Sequence, residues 1–282
     1  MLGKVRAQEV IVKFSVCTVD RDLDVNVPFP LRGNSYEECA ACAEKLGFDG
    51  IELQIQNPLS YDAKKLRATL DRHNLGASAV TTGLAYTYEG MSMVHPDRKI
   101  RAATVERLKR QLDLAKELDS HILIGYLRGR KSPGQTDAEF EDILTDSVHQ
   151  VLDYAEEIQT PMVMEQINRN DGDVFCSTER TMAFLEKFHS DWLLYNGDTY
   201  HMITEDPDVP AAILRSISKL VLFHVSDVGR SLPDNMHFNF YEAAHVLKEL
   251  HYNKWVSIEC KPIPSSYEAT KRGIEYLKKV FG

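Results

Sequence analysis

MVME at Met162–Glu165 is the first of four short apolar runs that decide the fold, because each run ends in a residue type that binds metal ions. The other three runs are LLYNGD at Leu193–Asp198, VLFH at Val221–His224 and VSIE at Val256–Glu259. The four terminal residues lie 33, 26 and 35 positions apart, about the length of one strand-plus-helix unit. We therefore interpret the runs as successive parallel strands of one barrel.

Side chains at the ends of successive parallel strands meet at the carboxyl-terminal mouth of such a barrel, where these barrels carry their chemistry. The set is Glu165, Asp198, His224 and Glu259. One polar residue at a strand end is usually unremarkable in function, but a buried cluster of carboxylates needs a cation to be tolerated. Three carboxylates and one imidazole predict a hard, mostly oxygen site for a divalent cation such as Mn²⁺ or Mg²⁺, with Co²⁺ and Zn²⁺ as alternatives.

The same rhythm of apolar run, polar loop and helical pattern occupies the rest of the chain. Four earlier strands are expected at Val10–Cys17, Gly50–Leu53, Ala77–Thr81 and His121–Gly125. Eight units in 282 residues average about 35 residues each, which is typical of a (β/α)₈ TIM barrel. We predict this α/β fold, with residues 1–282 as a single domain.

Two helices should begin at capping boxes, Ser35-x-x-Glu38 and Thr136-x-x-Glu139. Gly47 is expected to end the first of them. The segment Gly83–Asp97 lacks a clear periodic pattern and contains Tyr86 and Tyr88, so we expect a long loop that covers a pocket.

Composition limits the possible partners. The net charge is −9 and no basic run offsets it, which argues against a nucleic-acid partner. The sequence has neither a run of 18 apolar residues nor a signal-peptide pattern, so we expect no membrane partner and a cytoplasmic location. Five dispersed cysteines are typical of reduced thiols in a cytosolic protein. Glycine-rich nucleotide-binding loops are absent, which favours a barrel over a doubly wound sheet.

Further polar residues follow the predicted strands and could bind hydroxyl, carbonyl or phosphate oxygens. They include Arg128, Arg130, Arg169, Asp171, His201 and Arg230. Arg230 is the strongest arginine candidate because it follows closely on His224, and His201 is three residues past Asp198. Glu52, on the second predicted strand, either orients a partner or makes an ion pair.

Five segments share a family pattern that spans nearly the whole chain. They are GFDGIE at Gly47–Glu52, MEQINR at Met164–Arg169, GDTYHM at Gly197–Met202, FHVSD at Phe223–Asp227 with Arg230 beyond it, and SIE at Ser257–Glu259. These segments resemble the xylose-isomerase-like TIM barrels. Within that superfamily they are most similar to the sugar isomerase/epimerase group typified by D-tagatose and D-allulose 3-epimerases.

The resemblance implies roles for individual residues and a small-molecule sugar as substrate. It implies that one Mn²⁺-like ion is held by Glu165, Asp198, His224 and Glu259. Glu165 and Glu259 would also form the acid/base pair on opposite faces of the substrate. His201 and Arg230 would bind substrate oxygens, and Asp171 stands where these epimerases have a glutamate near the substrate's terminal hydroxyl. Barrels of this group often pair through their helical faces, so the resemblance leaves both a monomer and a homo-oligomer open.

The implied chemistry is consistent with these residue types. Removing a proton next to a ketose carbonyl leaves a cis-enediolate, and a divalent metal stabilises the charge on its two oxygens. Carboxylates on both faces allow the proton to return from the opposite side, which inverts the stereocentre. Return to the neighbouring carbon would instead isomerise a ketose to an aldose, so both outcomes stay open.

The chain also departs from the epimerase pattern at two places. Gln166 stands where relatives commonly have proline, and Pro233–Phe240 lacks the glycines of the related loop. These departures leave the substrate open: sugar phosphates, hydroxypyruvate isomerisation and inosose dehydration are alternatives. Less favoured are a non-catalytic sugar-binding barrel and an endonuclease-IV-like nuclease, which needs histidines after the second and third strands that this sequence lacks.

Overall fold

A computed structural model describes residues 12–282, and within this range parallel strands close into a barrel surrounded by helices. The strands are β1 (Lys13–Val19), β2 (Leu31–Arg32), β3 (Gly50–Gln54), β4 (Gly76–Thr81), β5 (Ile122–Ile124), β6 (Met162–Glu165), β7 (Leu193–Asp198), β8 (Leu220–Val225) and β9 (Trp255–Ile258). Strand β2 pairs only with the end of β1. The other eight strands follow sequence order, and β1 pairs with β9 to close the barrel.

Helices follow the strands around the outside of the barrel. They are α1 (Tyr36–Leu46), α2 (Ala63–Arg72), α3 (Gly83–Glu89), α4 (Arg98–Glu117), α5 (Asp137–Ile158), α6 (Thr178–Glu186), α7 (Thr199–Glu205), α8 (Val209–Ser216), α9 (Phe240–Glu249) and α10 (Ser266–Val280). None of the helices within residues 12–282 has the length and hydropathy that a membrane span requires. The predicted (β/α)₈ barrel is confirmed, while the start of the first predicted strand, at positions 10 and 11, lies outside the described residues.

The capping residues explain where two helices begin. At α5, Thr136 Oγ1 accepts the Glu139 N–H (3.2 Å) and Glu139 Oε2 accepts the Thr136 N–H (2.8 Å), which is the predicted capping box. At α1, Ser35 Oγ accepts the Glu38 N–H (3.3 Å), but Glu38 Oε2 accepts the N–H of Asn34 (2.9 Å) instead of that of Ser35. Of the capping box predicted at Ser35, only the Ser35 contact therefore forms. The Asn34 side-chain amide also donates to Glu38 and holds its carboxylate one residue before the predicted position.

The prediction of a long loop at 83–97 is wrong in its first half, because Gly83–Glu89 forms α3. Leu84 of this helix is buried against Phe29, Val19 and Cys17, and this apolar contact holds the helix over the barrel mouth. Arg107 fixes the end of α3 through an ion pair with Glu89 (2.9 Å). A helix of only seven residues is marginal on its own, so its stability comes from these tertiary contacts, which a local sequence pattern does not reveal.

The barrel interior is layered. Ala79, Leu123, Val163 and Leu222 pack together as a small apolar cluster that is separate from the larger core between the sheet and the helices. Side chains alternate along a strand, so a residue two positions further on lies on the same side and closer to the mouth. Glu165 thus lies above Val163, and His224 lies above Leu222. The same alternation sets the height of the polar layer at the mouth.

The opposite end of the barrel is packed around Trp255, at the start of β9. A Cβ atom on Gly50 would lie 2.7 Å from the Trp255 ring and 2.5 Å from the main-chain oxygen of Gly76. A Cβ on Gly76 would approach the same ring to 3.1 Å. Glycine at the first position of both β3 and β4 therefore provides the space that the indole occupies.

We predict that Gly50→Ala lowers the free energy of unfolding by about 1–3 kcal/mol, the usual cost of overpacking a core. Neither the indole nor the main-chain oxygen can move away easily. Urea denaturation measures the effect. Gly83→Ala is the control, because a Cβ there meets no atom within 4 Å. Equal unfolding midpoints for the two variants would contradict the packing argument.

Candidate metal centre at the barrel mouth

The structure brings the four residues predicted as ligands together at the carboxyl ends of β6 to β9. One ligand atom from each of Glu165, Asp198, His224 and Glu259 lies within 4.8 Å of the others. All four side chains are buried, with relative exposures of 7%, 0%, 1% and 8% respectively. Strand pairing produces this convergence, because Asp198 lies beside His224 in the register of β7 and β8.

The donor set fits a divalent cation. His224 directs Nδ1 towards two of the carboxylates, 3.3 Å from Glu165 Oε1 and 3.1 Å from Glu259 Oε2. Asn196 Nδ2 donates to the same Glu165 oxygen (3.1 Å). Buried carboxylates are costly unless positive charge compensates them. The cluster is therefore a candidate metal centre whose oxygen-rich donors suit a hard or borderline ion.

Asp198 has two roles, one for each carboxylate oxygen. Oδ1 accepts the Tyr200 N–H (2.9 Å) and caps the first turn of α7. Oδ2 is buried and faces the cluster, 2.6 Å from Arg230 Nη1, but this contact lacks the geometry of a hydrogen bond. Burial raises the pKa of Asp198 well above its ordinary value, and Arg230 only partly opposes this shift.

Arg230 enters the site from a tight turn after β8. Asp227 Oδ1 accepts the Val228 N–H (2.7 Å), and Arg230 itself has a left-handed backbone with φ of 60°. Its guanidinium lies 4.3 Å from the centre of the Tyr200 ring, and Nη1 lies 2.6 Å from Glu259 Oε2. Burial alone would raise the pKa of Glu259, but the charges of Arg230 and His224 lower it to about 2.

His201 lies at the same level, fully buried on α7. Its Nδ1 accepts the main-chain N–H of Asn168 (3.1 Å), and Nη2 of Arg230 lies 3.1 Å from its Nε2. Nε2 lies 3.7 Å from Asp198 Oδ2. Burial lowers the pKa of His201 well below its ordinary value, and the nearby charge of Arg230 lowers it further. His201 is therefore a neutral imidazole at the edge of the cluster.

Asp171, the remaining residue predicted to bind substrate, lies further out and is half-buried. It stands beside Tyr200, whose pKa is raised by burial and also by the Asp171 carboxylate. It is not among the residues that line the main cavity of the mouth. The structure thus brings His201 and Arg230 into the cluster and leaves Asp171 at its periphery.

The other candidate arginines have structural partners. Arg128 is almost fully buried and donates to the main-chain oxygens of Val174 (2.9 Å) and Glu165 (3.3 Å), which anchors the loop after β6. Arg130 pairs with Asp173 (2.9 Å), and Arg169 pairs with Glu205 (2.7 Å). Sequence alone does not distinguish them from substrate ligands, because the partners are main-chain oxygens for Arg128 and carboxylates 43 and 36 positions away for Arg130 and Arg169.

A cavity of about 220 Å³ opens directly above the cluster. Its floor includes Glu165, Glu259 and Arg230. Its walls are mostly apolar and come from Asn26–Phe29 after β1, from α3 and from Tyr126 after β5. The expected cover is present, although a helix provides it, and Tyr126 stacks on Tyr86 of α3 at 6.3 Å. Tyr88 of α3 lines the cavity and belongs to the segment expected to cover a pocket. The wall residues at 26–29 were missed in the sequence, and for Tyr126 only its position directly after a strand-ending glycine signals a role.

Gln166, which departs from the epimerase pattern, does not contact the cavity. Its side chain lies in a buried network with Thr178, Tyr195 and Asp206 on the helix side of the sheet, where Gln166 Oε1 accepts the Thr178 hydroxyl (2.6 Å) and Nε2 donates to Asp206 (3.1 Å). The substitution therefore affects the packing of α6 and leaves the cluster at the mouth intact.

Fold and site together define a (β/α)₈ barrel with a buried carboxylate–histidine centre at the mouth. The chain belongs to the xylose isomerase-like TIM barrel family, whose pattern it matches over residues 40–280. The family resemblance that the sequence indicated is thereby confirmed.

Two proteins with similar sequences are named as sugar epimerases. A ketose 3-epimerase from Arthrobacter globiformis is 26% identical over 186 residues. The matched residues are 65% of this chain and 63% of that protein, so the chain spans less than two thirds of the relative's length. An L-ribulose 3-epimerase from Methylomonas sp. (strain DH-1) is 24% identical over 221 residues, which span 78% of this chain and 76% of that protein. These relatives confirm the prediction that the chain is an enzyme.

Solved structures confirm the fold. A D-allulose 3-epimerase from Methylomonas sp. superposes with a TM-score of 0.80 at 18% identity, covering 95% of this chain and 98% of that one. A 3-keto-D-glucoside 4-epimerase from E. coli also gives a TM-score of 0.80, at 16% identity, covering 95% of this chain and 99% of the other.

We predict that Gly125→Ala weakens Mn²⁺ binding at least tenfold, equivalent to about 1.4 kcal/mol. A Cβ at this position would lie 2.5 Å from Glu165 Oε2, and the flexible carboxylate would have to move out of the cluster. Because only the end of a side chain is displaced, the variant should still fold. Titration of the apoprotein with Mn²⁺ measures the change.

Gly83→Ala serves as the control for this experiment, because Gly83 lines the same cavity and a Cβ there contacts nothing. Unchanged Mn²⁺ affinity in Gly125→Ala would show that Glu165 does not need its present position.

Proposed function

We propose that the protein is a divalent-metal-dependent epimerase or isomerase that moves a proton on the carbon next to the carbonyl group of a ketose. One observation carries the proposal. Of the four clustered residues, Glu165 and Glu259 line the cavity, whereas Asp198 and His224 lie behind them. Two carboxylates at the edge of a substrate-sized cavity are the groups that acid/base catalysis requires.

The residues that would hold the cation are Glu165, Asp198, His224 and Glu259. A bound divalent ion, with Mn²⁺ as our first choice, supplies electrostatic stabilisation for the negative charge that develops on the substrate oxygens. The fit rests on their burial and on the orientation of His224 Nδ1 towards two carboxylates.

Glu165 and Glu259 act as the acid/base pair in this proposal. The Glu165 contact with Asn196 uses Oε1, and the contacts of Glu259 with Arg230 and His224 use Oε2. Each carboxylate thus keeps its second oxygen for a proton. One residue takes the proton from carbon, and the other returns it from the opposite face, which inverts the stereocentre.

His201 and Arg230 orient the substrate. The Arg230 guanidinium offers several N–H donors, and the imidazole of His201 lies beside it, with Nη2 of Arg230 3.1 Å from Nε2 of His201. Arg230 can donate to the carbonyl and hydroxyl oxygens of a sugar, and His201 can contact a sugar hydroxyl beside it. Asp171, beside Tyr200, is assigned to a hydroxyl group at the far end of a longer substrate.

We further propose that the substrate is a free ketose and not a phosphorylated one. Arg128 is committed to main-chain oxygens, while Arg130 and Arg169 are paired with carboxylates outside the cavity. The fourth candidate, Arg230, is engaged with Asp198 and Glu259 on the cavity floor. The apolar walls formed by Phe29, Leu84 and Tyr126 offer no charge for a phosphate group. The names of the relatives, a ketose 3-epimerase and an L-ribulose 3-epimerase, support a free sugar of this class.

We predict that Glu165→Gln and Glu259→Gln each slow deuterium exchange into the substrate by about 10²–10⁴-fold, the usual contribution of a positioned acid or base. The Mn²⁺-loaded proteins are incubated with a panel of ketoses in D₂O, and NMR follows deuterium at the carbons next to the carbonyl. The amide cannot accept the proton, although it can still occupy the same space.

Glu37→Gln is the matched control for these variants, because Glu37 lies on the outer surface in α1 and pairs with Arg72. Its exchange rate should equal that of the wild type. Unaltered exchange in both of the active-site variants would refute the acid/base assignment.

We also predict that wild-type protein exchanges deuterium into free ketoses at least about tenfold faster than into the corresponding ketose phosphates at equal concentration. The reason is that the described residues place no unpaired lysine or arginine at the far end of the cavity to bind a phosphate. Even one charge-assisted contact is worth about 1.5–3 kcal/mol. The same NMR assay, run with each free and phosphorylated pair, measures the ratio. A preference for the phosphates would overturn the assignment of Arg128, Arg130 and Arg169 to structural contacts.

A further inference from the structure

His224 has a second carboxylate partner that belongs neither to the four-residue cluster nor to the cavity. Its Nε2 lies 2.8 Å from Oε2 of Glu52, a residue of β3 on the far side of the imidazole ring from Glu165 and Glu259. Relative exposure is 0% for Glu52 and 1% for His224. The ring is therefore held between Glu52 on one edge and the candidate metal centre on the other.

The Glu52 carboxylate is fixed by its own neighbours. Oε1 accepts the Thr81 hydroxyl (2.9 Å) and the Gln54 amide (3.3 Å), which leaves Oε2 for His224. Cys17 also lies beside it, but burial and the Glu52 charge raise the pKa of this thiol well above its ordinary value, so the thiol is neutral. Among residues 12–282, His224 is the sole partner of Glu52 at ion-pair distance.

This arrangement determines which ring nitrogen can bind a cation. An imidazole that donates its Nε2–H to a carboxylate keeps the lone pair of Nδ1 free, and a charged acceptor makes that nitrogen more basic. In this structure Nδ1 is the nitrogen that faces Glu165 and Glu259. Without a carboxylate at Nε2, the neutral ring could place its proton on Nδ1 and block the ligand position.

We propose that Glu52 is a positioning residue that fixes His224 as an Nδ1 metal donor by accepting its Nε2–H. This inference rests on the proposed metal-dependent function, which it deepens by extending the metal centre to a fifth residue. Glu52 touches neither the cavity nor the proposed substrate, and it acts through His224 alone.

The test uses Glu52→Gln in the full-length protein, with Glu37→Gln as the matched control on the outer surface. Mn²⁺ affinity is measured on the apoproteins by equilibrium dialysis, without any sugar. We expect the Glu52 variant to bind Mn²⁺ about 10–100-fold more weakly, the usual effect of removing a carboxylate behind a histidine ligand. Its apoprotein should keep the wild-type circular dichroism spectrum, and the Glu37 variant should bind like wild type.

A spectroscopic measurement separates positioning from a general loss of structure. Co²⁺ loaded at saturating concentration should give an altered visible absorption spectrum in Glu52→Gln and the wild-type spectrum in Glu37→Gln. Should Glu52→Gln fail to fold, Thr81→Val removes one of the hydrogen bonds that hold Glu52 and should weaken Mn²⁺ binding in the same direction, by a smaller factor.

Wild-type Mn²⁺ affinity and an unaltered Co²⁺ spectrum in Glu52→Gln would overturn the positioning role and leave the proposed function intact. Failure of the proposed function is recognised separately. Wild-type protein would then bind Mn²⁺ but exchange no deuterium into any ketose, while the effect of Glu52→Gln on Mn²⁺ affinity would still support positioning.

Discussion

The structure depends on the burial of negative charge at one end of the barrel. Glu52, Glu165, Asp198 and Glu259 are each less than 10% exposed, and they face one imidazole and one guanidinium. Taking a carboxylate out of water costs several kcal/mol unless a positive partner or strong hydrogen bonds compensate it. Arg230 and His224 supply part of that compensation, and a divalent cation would supply the remainder. The strand ends, the turn that delivers Arg230 and the short helix α7 are all arranged around this requirement.

The barrel meets the requirement through its register. Parallel pairing places residues of neighbouring strands at equal heights, so an apolar layer around Val163 and Leu222 lies directly below the polar layer that contains Glu165 and His224. The apolar layer excludes water from below, which strengthens every electrostatic contact above it. At the opposite end, Trp255 fills the space left by two glycines. The apolar layer excludes water and the polar layer carries the candidate site, and the alternation of side chains along the strands keeps the two layers separate.

The sequence predicts the features that depend on local hydrophobic periodicity, namely the strands and their order. The apolar runs ending in Glu165 and its three counterparts were sufficient to predict the barrel and the convergence of those residues, because strand order in a parallel barrel follows chain order. Contacts between distant segments were not predictable in this way. Glu52 lies 172 positions from His224, and its role as a partner was only one of two options. Arg128 was a candidate substrate ligand because a sequence does not show which main-chain oxygens a side chain will bind. Helix α3 was missed because tertiary contacts stabilise it.

The two oxygens of the Asp198 carboxylate have different partners, and this links the cluster to α7. One oxygen caps α7 and the other faces the cluster, so this residue can offer a cation only a single oxygen without uncapping the helix. Any pull on that oxygen is transmitted to the first turn of α7, which carries Tyr200 and His201. A cation bound to that oxygen would therefore be coupled, through this one side chain, to the positions of Tyr200 and His201, the residues that α7 directs towards the mouth.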